Sequence, residues 1–311
     1  MKDYIEPFNQ TKLFGLDLFL KQLVKLEDKN NLPNKILFSG QKGQGKSTLA
    51  YHFINFVLSK KEEFKYNFKN FEIDINNHSF KTIINGSNPN FFLIDVTPEK
   101  KNIDILQIRQ LIRNLNKSSL NEKPRFVLID NIEFLNINSL NALLKTLEEP
   151  STNTNFILIH NNKKVLPTLL SRCINFKISL THEENINVIC KLLNEQIYER
   201  INPSLINYYF TPGNIFNLIK YCELNGYNLN ELNLREFLKL IINDKDFRKN
   251  KSINHLIFDF MEFYFNKINS SLSKNVFDKY NYFLKRISDT KKFNLDEDSL
   301  FLEFESKILN D

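Results

Sequence analysis

The sequence predicts an α/β domain, a parallel five-stranded sheet with flanking helices, followed by a remainder built only of helices. Three observations predict it. Five short apolar, β-rich runs lie at residues 35–39, 91–96, 125–130, 155–160 and 174–178, and each reads as a buried strand. Helical patterns fill the intervals, over 48–59, 103–115 and 138–149, and such alternation argues for a parallel sheet covered by helices. After residue 178 the strand signal ceases.

The first run leads directly into G-Q-K-G-Q-G-K-S at residues 40–47, a full match to G-x-x-x-x-G-K-[ST] between a strand and a helix. Gly40, Gly43 and Gly45 allow backbone N–H groups to close around phosphate oxygens, and the helix N-terminus adds positive potential. Lys46 brings a point charge to the terminal phosphates, the Ser47 hydroxyl suits Mg²⁺, and Thr48 completes the candidate nucleotide-binding stretch. A Gly-rich turn without a ligand is the plainer alternative, and the complete motif in its strand-to-helix context argues against it. The polar stretch 62–86 that follows reads as a loop or insertion.

The third run ends in Asp130, where a P-loop fold places its second Mg²⁺-orienting acid, although an Asp after a strand is commonplace by itself. Asn131 comes next, and a neutral amide cannot take a proton from an attacking water. Glu133 stands beyond the strand end and is not expected to replace it. In the following helix Leu140, Leu143, Leu144 and Leu147 form an apolar stripe, with Pro150 after the helix end. Near the end of the fourth strand stand His160, Asn161 and Asn162, a placement that resembles the phosphate-sensing polar residue of AAA+ proteins and makes Asn161 the candidate for touching a terminal phosphate, with an ordinary loop amide as the equal alternative.

The remainder reads as helices over 183–200, 203–208, 215–225 and 234–243, then longer stretches from 253 and 274. A polar segment, 243–252, marks a boundary, after which Leu256, Phe260, Phe263 and Tyr264 share one helical face. Three domains are expected: 1–178, 179–242 and 243–311. The last balances twelve basic against twelve acidic residues over 242–311, which suits protein contact.

Composition narrows the function classes. With 42% hydrophobic and 25% charged residues the chain is an ordinary globular protein, and no apolar window is long enough for a membrane span. MKDYIEPFNQ is not a leader, so a cytoplasmic location is expected. Cys173, Cys190 and Cys222 contain no C-x-x-C pair, so neither zinc nor disulfides are expected. A net charge of +6 permits a polyanionic partner without requiring one.

Two blocks make the pattern more specific: N-A-L-L-K-T-L-E-E-P at 141–150 and, after a strand, L-P-T-L-L-S-R-C at 166–173. Together they resemble the bacterial clamp-loader AAA+ family, strongly over the first 180 residues and in general plan beyond. The resemblance implies a nucleotide-binding domain, a small helical lid domain and an all-helical collar domain. It makes Arg172 an arginine finger acting in trans at a neighbour's ATP site. It also implies ATP or ADP with Mg²⁺ on Ser47 and Asp130, and partners that include gamma/tau and delta subunits, a sliding clamp and primer-template DNA held through its phosphates.

Two positions depart from a hydrolytic site: Asn131, and Asn214 in T-P-G-N-I, where an active lid offers an arginine. The absence of cysteines from 51–100, and G-S-N-P-N at 86–90 before an I-R-Q-L-I helix, resemble the delta-prime pattern, with Asn90 replacing the usual acid. The expectation is a delta-prime-like subunit aiding ATP-dependent clamp loading with little hydrolysis of its own. The alternatives are a hydrolysing gamma/tau-like motor and, with no use for the two blocks, a small-molecule kinase.

Overall fold

The computed structural model describes residues 6–97, 100–149, 153–161, 166–207, 209–244, 255–268, 274–293 and 295–310. Pro150, Asn162, Tyr208, Ile253 and most of segment 243–252 lie outside them. The chain divides into two compact units, Met1–Glu184 and Asn185–Asp311.

The first unit holds the sheet. Strands β1 (Lys35–Gly40), β2 (Phe91–Ile94), β3 (Arg125–Ile129), β4 (Thr154–Asn161) and β5 (Ile174–Lys177) are all parallel, in the order β2-β3-β4-β1-β5. Period-two alternation sorts their side chains onto two faces. Ile36, Phe38, Phe126, Leu128, Ile157 and Ile159 pack with α1 (Asp17–Asp28), α2 (Lys46–Leu58) and α3 (His78–Ile84). Leu37, Val127, Ile129, Phe156 and Leu158 pack with α4 (Ile105–Leu115) and α5 (Ile137–Glu148). Burial on both faces is why the inner strands are apolar without alternation.

Local sequence fixes where these helices begin and end. Asp104 and Gln107 form a capping box on α4, and Arg125 donates to Leu115 O and Lys117 O, both at 2.7 Å, closing its other end. Asn136 caps α5, whose Leu140, Leu143 and Leu147 are buried as the stripe predicts. Stretch 62–86 is more ordered than a loop: it contains α3 and buries Tyr66, Ile73, Phe80 and Ile83 in the core. A buried Asn55–Asn77 hydrogen bond of 3.0 Å ties it to α2.

The second unit is helical: most of α7 (His182–Leu193), then α8 (Ile197–Arg200), α9 (Pro212–Asn225), α10 (Leu234–Asn243), α11 (His255–Ile268), α12 (Lys274–Phe293) and α13 (Glu297–Phe304), which runs into a π turn, Glu305–Leu309. The helix expected over 183–200 is broken. Asn194 adopts φ 59°, and Glu195 N–H bonds to Cys190 O at 3.2 Å, a left-handed stop. One core serves this unit, rich in phenylalanine: Phe260 meets Phe210 and Phe237 edge-on with centroids 4.9 Å apart, and Phe304 meets Phe265 and Phe283. Among the described residues no helix is long and apolar enough to cross a membrane.

Candidate nucleotide site and the Arg172 corner

All strands point their C-terminal ends one way, and there the chemistry gathers, as open parallel sheets require. Gly40 ends β1 opposite Asn161 at the end of β4. Asp130 follows β3 and bonds through its N–H to Ile94 O at 2.9 Å, which sets it beside Asp95. The sheet order thus collects residues from four separate stretches of sequence.

The phosphate loop runs from Gly40 into α2. A Cβ at Gly40 would lie 2.1 Å from Ile178 O, so only glycine lets β1 leave the sheet here. Gly43 and Gly45 hold φ of 86° and 81°, and Gly45 is the N-cap of α2, which aims the helix N–H groups into the loop. Lys46 is 3% exposed and donates to Gly40 O at 2.9 Å and Gln41 O at 2.6 Å. Burial lowers its pKa to about 8, against the opposing pull of Asp130 and Glu133. Thr48 follows in the first turn of α2, half-buried.

Ser47 Oγ donates to Asp130 Oδ2, so the two expected Mg²⁺ ligands already touch. Burial raises the Asp130 carboxyl to about 6; the Ser47 hydrogen bond counteracts this, and the negative charge of Asp95 adds to it. A carboxylate held at such cost beside a hydroxyl is relieved by a cation. The loop N–H groups, the lysine resting on loop carbonyls that phosphate oxygens would replace, and this oxygen pair fit a Mg²⁺–nucleotide.

Asn131 adopts a left-handed conformation, φ 56° and ψ 47°. Its Nδ2 donates to Asp95 Oδ1 at 2.8 Å and its Oδ1 accepts from Asn161 Nδ2 at 2.8 Å, so both ends of the amide are committed. The same left-handed residue turns Glu133 back toward the sheet edge. There its Oε2 accepts from Asn161 N–H at 3.3 Å, so beyond the strand end this carboxylate still lies at the site. Sequence reasoning also missed Asp95, a residue with no motif of its own; its signal was only that it is the one charged residue in the run 91–96, directly after the strand Phe91–Ile94.

Arg172 lies elsewhere on this unit, after the single helical turn α6 (Pro167–Leu170). Its Nε donates to Glu148 Oε1 at 3.1 Å, its Nη2 donates to the same oxygen, and its Nη1 donates to Thr168 O at 2.9 Å. Asn214 belongs to the second unit, where its N–H bonds to the Thr211 hydroxyl at 3.3 Å in the first turn of α9. Asn90 is buried, binding Lys123 O at 3.0 Å and Asn121 Nδ2 at 2.9 Å, which joins the starts of β2 and β3. The three cysteines are unpaired, and burial raises Cys173 to about 11 and Cys222 to about 12, so neither thiol is a nucleophile.

Fold and site together define a P-loop protein of the AAA+ class. Within it, the family described as DNA polymerase III, delta subunit matches residues 16–182, more than half of the chain, and the protein belongs to that bacterial clamp-loader family. A protein of Acanthamoeba polyphaga mimivirus named as a replication factor C small subunit is 27% identical over 96% of this chain and 78% of its own length. DNA polymerase III subunit delta' of Pseudomonas aeruginosa is 37% identical over 29% of this chain and 27% of its own, and subunit gamma/tau of Mycoplasma genitalium is 28% identical over 63% and 30%. The chain thus spans about a third or less of these two bacterial relatives. A DNA polymerase III gamma subunit-related protein of Thermotoga maritima shares the fold, with a TM-score of 0.50 and 18% identity over 92% of this chain and 97% of that one.

Proposed function

We propose that the chain is a delta-prime-like subunit of a clamp-loader complex that binds ATP or ADP with Mg²⁺, hydrolyses it little, and supplies Arg172 in trans to a neighbouring subunit. The observation that carries this reading is Asn131. The position beside Asp130 holds an amide, and that amide is tied at both ends, to Asp95 and to Asn161. It cannot accept a proton from water.

The site's own residues have defined tasks in this reading. Lys46 exchanges its loop carbonyls for phosphate oxygens, Ser47 and Asp130 hold the metal, and Asn161 faces the terminal phosphate. Bound Mg²⁺ supplies neutralisation of phosphate charge. Arg172 brings a guanidinium to the charge that develops at a neighbour's transferring phosphoryl group. Residues 179–242 would form the lid and 243–311 the collar through which gamma/tau and delta subunits assemble. The sliding clamp and the phosphates of primer-template DNA would be the complex's targets.

Glu133 favours a second reading, a gamma/tau-like motor, because it brings a carboxylate to the site. Steady-state ATPase separates the two. Inert isolated chain, with Arg172→Ala crippling the reconstituted complex, supports the trans-acting subunit. Robust hydrolysis by the chain alone, lost in Glu133→Gln, makes it a motor.

A further inference from the structure

Two blocks carry the family resemblance, and the proposed function uses only one residue of them. In the structure the blocks meet. Glu148, the last residue of α5, and Arg172, two residues past α6, join across the 24 positions that separate them. We propose that Glu148 is the positioning residue of the Arg172 finger, an inference that rests on the trans-acting reading above.

The geometry is that of a bracket. Nε and one Nη2 N–H converge on a single carboxylate oxygen while Nη1 is held by Thr168 O, so the guanidinium plane is fixed from two sides. Nη1 also donates to Ser171 Oγ at 3.4 Å, so of the five N–H donors one on Nη2 is left for an acceptor outside the chain. The helix end that carries the carboxylate is itself held. Lys35 Nζ donates to Leu147 O at 3.0 Å, tying the end of α5 to the first residue of β1. Since the other end of β1 becomes the phosphate loop, the finger is referenced to the sheet that carries the chain's own site.

Stability does not explain the placement. A carboxylate in the last turn of a helix opposes the macrodipole, and a solvent-exposed ion pair returns about as much as that costs. Glu148 is 53% exposed in this pair. A residue of little net worth to folding, aimed at the one arginine that the function needs outside the chain, is explained by what it does to that arginine.

The test uses the reconstituted loader with clamp and primed DNA, comparing Arg172→Ala, Glu148→Ala, Glu148→Gln and the double Ala variant. Glu148→Ala should lower kcat about tenfold at nearly unchanged KM for ATP, as expected when a catalytic group loses its alignment, with an unshifted melting temperature. Glu148→Gln should retain most turnover, because an amide oxygen can receive both N–H groups. The double variant should be no worse than Arg172→Ala alone, since the two act as one unit. Normal kcat in Glu148→Ala beside a crippled Arg172→Ala overturns the positioning role, as does a Gln variant as weak as the Ala one or a further loss in the double. A fully active Arg172→Ala instead removes the finger reading itself.

Discussion

The phosphate-loop corner and the Arg172 corner sit on one sheet yet are built in opposite ways. Lys46 is buried and Asp130 half-buried, and both are hydrogen-bonded to neighbours and shifted in pKa by desolvation. Arg172 is partly exposed, its partner Glu148 more so. Groups that receive a ligand within the chain are desolvated beforehand, which strengthens each later contact. On the proposed reading Arg172 serves a second chain and must keep access, so its order comes from a bracket of surface hydrogen bonds. On that reading the difference separates the chain's own site from what it would offer another.

That contrast can be broken by experiment. The largest effect should come from Arg172→Ala, which on the proposed reading removes an arginine finger and should cost the complex about a thousandfold in kcat while the isolated chain binds nucleotide as before. Next, Lys46→Ala should weaken nucleotide binding by the isolated chain about a hundredfold, read by fluorescence titration, because a charged hydrogen-bond donor is lost. Most of the complex's turnover should survive if, as proposed, turnover resides in neighbours. If both substitutions instead impaired the same quantity, the two corners would be one site.

A smaller effect sharpens the buried corner. The folded pKa of Asp130, about 6, lies above the ordinary 3.8, so its contribution to stability is full below 3.8 and is lost as pH rises through 6. At pH 8 the apo chain therefore carries a half-buried charge, and Asp130→Asn should raise its stability by about 2 kcal/mol in denaturant melts, with little gain near pH 4. The same variant should lose Mg²⁺-dependent nucleotide binding. In the wild type that binding should weaken as pH falls through about 6, where the carboxyl takes up a proton.

Much of this was legible in the chain itself. The five strands appear where apolar runs predict them, but only β1, β3 and β4 are buried as expected; β2 and β5 lie at the sheet edges and leave Leu93 and Ile174 exposed, while Leu256, Phe260 and Phe263 are buried as their spacing requires. Helices α1 and α3 escaped notice, the second because seven residues give too little periodicity within a polar stretch. The break after α7 depends on one left-handed asparagine, Asn194, a conformation that composition permits but does not demand.

By itself the sequence determined the strand-loop-helix that cradles phosphate, the Asp130–Asn131 pair and the two blocks that mark the family, since each is a local pattern whose chemistry follows from neighbours along the chain. Tertiary structure decided that Asp95 grips Asn131, that Glu133 turns back to the site, and that Glu148 holds Arg172. Those contacts depend on β2 lying beside β3 and on α5 ending against β1. Side-chain hydrogen bonds act over about 3 Å, and no spacing in the sequence states which strand ends will come that close.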